Sequence, residues 1–163
     1  MTSPGDVHWL DDEQQRAWRA LMMGMTLLNE RLDDDLRRDC GMSLTEYEVL
    51  VRLSERPGRA MRMAHLADAM AHSRSRVTHT VARMEAAGYI TRGTTPEDGR
   101  GVVATMTDKG HDLLVGAAPG HVTSVRRNMV DLVDASDFLA LGRVFDVVAD
   151  HLVTSHPESE IRG

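Results

Sequence analysis

Apolar residues recur at gaps of three and four near both ends of the chain, and that rhythm breaks only in a short central stretch. Trp18, Leu21, Met25, Leu28, Leu32 and Leu36 make one such stripe, the spacing of a single helix face. It predicts a long helix capped by Asp11, with Asp12 and Glu13 on its positive end, running to about Asp39 and ended by Gly41. Thr45 and Glu48 predict a capping box, with Leu44 stapled to Val49. The helix they start carries Tyr47, Leu50, Val51 and Leu53 and stops before Arg56-Pro57-Gly58. Residues 61–63 read as extended, and residues 64–70 as a short helix. Ala71-His72 makes a turn, and Ser73 caps a helix that points Val77, Val81 and Met84 inward. Gly88 stands where a left-handed helix end is expected. Residues 89–91 and 102–106 read as paired strands, joined by a loop over 93–101 that holds Pro96 and Asp98-Gly99. Thr107 caps the next helix, in which Gly116, Pro119 and Gly120 predict a kink near Ala118-Pro119. A last helix starts near 134–136 and carries Phe138, Leu141, Phe145, Val148 and Leu152.

Taken in order, residues 64–107 give a short helix, a tight turn, a helix with arginines at its start and a hairpin with a basic tip. That order describes a winged helix-turn-helix: a mainly α fold of about six helices with a two- to three-stranded β wing. In this device the first turn of the second helix meets base edges in the major groove of double-stranded DNA. The candidates there are Ser73, Arg74, Ser75, Arg76, Thr78 and His79. Arginine can hold guanine with two bonds, and the hydroxyls and imidazole can reach bases or phosphates. Arg83 is expected to hold the DNA backbone or to pair with Glu85 or Asp98. Arg100, at the hairpin tip, suits a narrow minor groove, with Asp98 restraining its guanidinium. An ordinary solvated face and a plain surface pair are the alternatives.

The first, fifth and last helices offer more apolar surface than the chain can cover by itself. A homodimer with both ends of the chain in the interface follows, with a monomeric bundle as the alternative. The resulting divisions are a loose arm (1–10), a dimerisation helix (11–42), the DNA-binding lobe (43–107), further dimerisation helices (108–155) and a polar tail (156–163).

Net charge is −6, which argues against a nucleic-acid partner until its distribution is read. Residues 1–46 hold five basic and ten acidic residues, 47–110 ten and seven, and 111–163 four and eight. The lobe is therefore basic between acidic flanks, and a phosphate backbone responds to the field within roughly 8 Å at physiological salt. The single cysteine excludes an intramolecular disulfide framework. No signal-peptide pattern and no apolar run of membrane-spanning length appear, so a cytoplasmic protein, nucleoid-associated when on DNA, is expected. No nucleophile elbow, phosphate-cradling glycine loop or catalytic carboxylate pair stands out, so neither an enzyme nor a cofactor is indicated.

Several segments together resemble the MarR family of transcription regulators: Leu44 to Leu50 (LTEYEVL), Leu66 to Met70 (LADAM), Ser73 to Thr78 (SRSRVT), Met84 to Arg92 (MEAAGYITR), Asp98 to Arg100 (DGR) and Thr107 to Gly110 (TDKG). The resemblance spans roughly residues 12–152. It implies a triangular dimer on a pseudo-palindromic operator, with the family's D-x-R wing motif on Asp98 and Arg100. It also implies a regulator, in the main a repressor, released when a small aromatic or phenolic effector enters a cleft between the dimer helices and the DNA-binding lobe. Trp18, Met22 and Tyr47 lie on the helices that wall that cleft, with ordinary packing as the alternative. The family often has Gly where this chain has Ala71.

Two variants of the same regulator remain open. Cys40 follows Arg37-Arg38, which favours a reactive thiolate, although Asp39 is adjacent. Eight histidines invite metal sensing, yet His65, His72 and His79 fall on different elements and no structural zinc spacing appears. A winged-helix module that binds protein and not DNA is the competing class; such modules usually lose the basic tip and polar recognition face kept here.

Overall fold

Asp11 starts the first helix by a closed capping box. Its carboxylate accepts from the Gln14 amide at 2.8 Å, and the Gln14 side chain accepts from the Asp11 amide at 3.1 Å. Helix α1 then runs Asp12–Cys40 and ends at Gly41, whose φ of 66° is the left-handed conformation glycine adopts freely. The computed structural model describes residues 7–95 and 98–154, with side chains at all of these but 95, 98–100, 153 and 154. The start of the N-terminal arm, to residue 6, and the polar tail lie outside the described residues.

After α1 come α2 (Leu44–Ser54), β1 (Ala60–Arg62), α3 (Met63–Ala69), α4 (Arg74–Ala86), β2 (Ile90–Thr95), β3 (Asp98–Met106), α5 (Asp108–Asn128) and α6 (Ala135–Thr154). Short 3-10 turns cover Pro57–Arg59 and Val130–Leu132. Six helices and a three-stranded antiparallel sheet thus match the winged-helix expectation among the described residues.

Two local expectations are corrected. The capping box of α2 is Ser43 with Glu46, not Thr45 with Glu48. Ser43-Leu44-Thr45-Glu46 satisfies the same S-x-x-E pattern two residues earlier. This start lets the Leu44 amide donate to Asp33 Oδ1 at 2.7 Å and buries Val49, Leu50 and Leu53 completely. The loop expected over 93–101 is mostly ladder. Gly93 pairs with Val103 and Thr94 with Val102, with a register shift between Thr94 and Thr95. Glycines read as turn signals here, but the ladder uses only their backbone, and the neighbouring Thr and Val residues favour extended structure.

β3 is the central strand, with β1 on one side and β2 on the other. The core lies under this sheet, where Leu50, Leu53, Leu66, Val77, Val81 and Ile90 are fully buried. Each such side chain contributes roughly 1.5–3 kcal/mol, so the orientation of α4 is fixed by its inner face. α1 joins this core only late in its course. Leu32 and Leu36 are buried, Leu21 and Leu28 half-buried, and Trp18 and Met25 exposed. α5 continues through Pro119, whose missing N–H leaves one helical hydrogen bond unmade. α6 packs loosely on the rest of the chain, with Leu139, Val144, Val147 and Leu152 exposed.

Candidate nucleic-acid interface

The recognition helix is positioned from its first residue. Ser73 Oγ accepts from the Arg76 amide at 3.3 Å and lies 3.3 Å from Ser75 Oγ. The preceding Ala71 holds φ at 50°, a left-handed conformation that is strained for a residue with a side chain. The tight turn is therefore made without the glycine the family often uses. Val77, Thr80, Val81 and Met84 are buried beneath α4. That leaves Arg74, Ser75, Arg76, Thr78, His79 and Arg83 exposed on its outer faces.

These exposed residues do not all point the same way. Arg76 Nη2 donates to Thr45 Oγ1 at 3.4 Å, and Arg83 Nη2 lies 3.4 Å from Glu46 Oε1. Both arginines lean onto the start of α2. The expected pairing of Arg83 with Glu85 is corrected, because Glu85 is already taken. Its Oε1 accepts from the Arg92 amide at 2.9 Å, and its Oε2 accepts from Arg92 Nε and Nη2 at 2.9 and 2.7 Å. These bonds from the Arg92 side chain and backbone hold the Glu85 carboxyl below the usual carboxylate range. They also latch the end of α4 to β2, the first strand of the wing. The backbones of Asp98 and Arg100 belong to β3, but their side chains lie outside the described residues.

A second joint fastens the lobe to α5. Thr107 Oγ1 accepts from the Gly110 amide at 3.1 Å and donates to the Gly88 carbonyl at 2.8 Å. Lys109 Nζ donates to the Ala87 carbonyl at 2.7 Å and sits 4.9 Å above the Tyr89 ring, closing the negative end of α4 with a cation. At Gly110 the helix passes so close that a Cβ would stand 2.3 Å from the Tyr89 carbonyl oxygen. The sequence marks Thr107 as a cap and the TDKG segment as a likeness, but the close passage at Gly110 was not read from it. Its signal was a Thr cap straight after a strand, with a glycine in the first helical turn where none is otherwise favoured.

Two adjoining cavities lie between α1, α2 and the turn before α4. One, of about 680 Å³, is walled by Asp33, Arg37, Glu48, His72, Arg76 and Arg83 among others. The other, of about 500 Å³, includes Leu44, Tyr47, Glu48, Met70, His72 and His121. Tyr47 is buried and its ring lies 4.4 Å from that of His121. Trp18 and Met22 line neither cavity and are exposed on α1. Burial pushes the His72 and His121 imidazoles below their ordinary value. Glu48 opens to solvent at the mouth, yet the walls exclude enough water to push its carboxyl up against the pull of Arg52 and Arg76.

Cys40 is half-buried, and its neighbours Arg37 and Arg38 are paired with Asp33, Asp35 and Asp39. Among the described residues no three His, Cys, Asp or Glu side chains are grouped to hold a metal ion. No described helix is long and apolar enough to cross a membrane.

Comparison with known proteins agrees with this architecture. The sequence profile of the MarR family matches residues 41–101. The fold superimposes on Sco3205 of Streptomyces coelicolor, a MarR family transcriptional regulator solved in complex with DNA, at a TM-score of 0.87 and 40% identity, covering 90% of this chain and 92% of that one. AbsC of the same organism, another MarR family transcriptional regulator, matches at a TM-score of 0.85 and 38% identity over 91% of this chain and 99% of that one. Sco5413, also from that organism, shares the fold at a TM-score of 0.72 and 21% identity, covering 92% and 100%. No curated protein matches the sequence.

Proposed function

As the chain belongs to the MarR family of transcriptional regulators, we propose that it binds double-stranded DNA as a homodimer and represses transcription until a small effector releases it. One observation carries the DNA-binding part. Buried Val77, Val81 and Met84 lock α4 so that Arg74, Ser75, Thr78 and His79 face outward from a capped helix start. That is the presentation a major groove requires. Arg74 is the strongest base reader, because Arg76 and Arg83 are drawn back toward α2 and suit the phosphate backbone. Arg100, with Asp98 beside it, is assigned to the minor groove next to the helix.

The dimer is supported by what the lone chain leaves uncovered. Trp18, Met23, Leu27, Leu139, Val147 and Leu152 are all more than half exposed, and they lie on the first and last helices. So many exposed apolar side chains on two long helices mark an association surface. The two cavities between α1 and the lobe support a small aromatic or phenolic effector, with Tyr47 in the wall of one of them. A cytoplasmic location is part of the same proposal, since the duplex it would bind lies there.

Selection of bound sequences from a random duplex pool tests the reading. Two related half-sites should be enriched with centres about one helical turn, ~10 base pairs, apart. Affinity should fall steeply with salt. Recovery of unenriched sequences with salt-independent binding, or a strictly monomeric protein, would refute it.

A further inference from the structure

Helix α2 opens with a carboxylate that has two tasks. Glu46 Oε2 accepts from the Ser43 amide at 2.8 Å and from Ser43 Oγ at 3.0 Å, which closes the capping box. Its other oxygen, Oε1, is left for α4 and lies 3.4 Å from Arg83 Nη2. The two partners differ in freedom. Ser43 is buried, and the bond from the Leu44 amide to Asp33 pins the start of α2 to α1. The Glu46 side chain is 20% exposed and that of Arg83 55%. The carboxylate is therefore a fixed point, and the guanidinium on its long stem is the group that can swing. Arg76 faces the same cavity from α4 but meets only the neutral Thr45 hydroxyl, at 3.4 Å. Charge-assisted contacts are roughly twice as strong as neutral ones, so of these two arginines Arg83 is under the firmer hold.

A carboxylate and a phosphate offer a guanidinium the same kind of anionic acceptor oxygens. Glu46 belongs to the first turn of α2, so it cannot follow Arg83 onto a duplex without giving up the cap. We propose that Glu46 is a positioning residue that stands in for DNA phosphate: it withholds Arg83 in the free protein and releases it when a duplex arrives. The proposal rests on the DNA-binding reading above, in which Arg83 meets the phosphate backbone. Every duplex, whatever its sequence, has to displace the same carboxylate. Glu46 therefore lowers affinity without changing which bases are read.

The test is a double-mutant cycle, read by fluorescence anisotropy on a random-sequence duplex of about 40 base pairs at roughly 100 mM salt. Glu46→Gln removes the charge but keeps the cap, since glutamine serves at that position of a capping box. It should bind the duplex more tightly than wild type, by about 1.5–5-fold per protomer and roughly 2–25-fold for a dimer, the range of an exposed ion pair. Glu46→Asp keeps the charge but draws it back by one methylene, so it should tighten binding as well. Arg83→Ala should bind more weakly than wild type, and adding Glu46→Gln to it should restore nothing. Sites enriched from a random pool should be the same for wild type and Glu46→Gln. A purely structural Glu46 would behave otherwise, since its loss would lower the melting temperature and weaken binding. The stand-in is refuted if Glu46→Gln binds like wild type or more weakly, because Glu46 would then hold Arg83 ready for the phosphate. It is equally refuted if Glu46→Gln gains as much in the Arg83→Ala background, because the gain would then be a long-range effect of net charge. Should Glu46→Gln unfold, Glu46→Asp in the wild-type and Arg83→Ala backgrounds makes the same comparison. Failure of wild type to bind any duplex would instead sink the DNA-binding reading itself.

Discussion

Gly110→Ala isolates the joint between the DNA-binding lobe and the dimer arm. In an open helix position the change stabilises, because alanine exceeds glycine by about 0.8–1 kcal/mol in helix propensity. At Gly110 the added Cβ would stand 2.3 Å from the Tyr89 carbonyl oxygen and 3.0 Å from Met106 Cγ. Met106 can adjust, but the carbonyl cannot retreat freely, since it also accepts from the Thr107 amide at 3.0 Å. Overpacking of this kind costs about 1–3 kcal/mol, and disturbing the Thr107 bond adds about 1 kcal/mol. The net expectation is a loss of about 1–3 kcal/mol, or roughly 2–10 °C in melting temperature for a chain of this size. Gly116→Ala, on the same helix with nothing within 4 Å of an added Cβ, should gain about 0.5–1 kcal/mol. Differential scanning calorimetry of the two variants beside wild type makes the comparison internal to one helix. Because the joint also sets the angle between lobe and arm, Gly110→Ala should weaken DNA binding beyond what its stability loss explains. If Gly110→Ala melts at or above wild type, the close passage of α5 over the start of β2 is wrong.

Three further outcomes follow from single features. Ala71→Gly should raise stability by about 0.5–1 kcal/mol, since relief of left-handed strain exceeds the added chain entropy; a lower melting temperature would show that the turn is unstrained. Asp35 is buried where α1 meets α5, with its carboxylate accepting from Ser124 Oγ at 2.6 Å and Arg127 Nη2 at 3.2 Å and Arg38 Nη2 2.9 Å away. The Ser124 bond above all holds its pKa below the ordinary value, so its contribution is present above the unfolded carboxyl pKa and is lost as pH falls through the depressed one. Acid titration of Asp35→Asn, followed by circular dichroism, should show less of that acid loss than wild type; identical acid limbs would count against the ion cluster. His72 and His121 act in the same direction but at higher pH: both imidazoles are pushed down by burial, so the unfolded chain binds more protons and stability falls as pH drops below about 6.5. His121→Phe, which keeps a ring against Tyr47, should flatten that part of the urea-denaturation profile, and an unchanged profile would assign the effect elsewhere.

The comparison of sequence with structure divides along a physical line. Asp11, Ser73 and Thr107 were legible as caps because a cap bonds an amide two or three residues away. The inward set Val77, Val81 and Met84 was legible for a similar reason, since helical periodicity turns local spacing into a face. The α2 cap was displaced by two residues because two overlapping patterns fit and only the distant Asp33 favours one of them. The candidate interface was legible as a set of residue types at a helix start. The direction taken by each arginine was not, since that depends on where α2 ends up.

The amino-acid order by itself determined the helices, most of their ends, the glycine stops at Gly41 and Gly88 and the polar outer face of α4, since neighbours within a few residues settle such matters. Packing alone decided that Glu85 holds Arg92, that Arg83 goes to Glu46 and that Gly110 slides past a carbonyl. A charged side chain can choose among many partners of opposite sign, and a glycine among many neighbours. Only the assembled core brings one of them within reach.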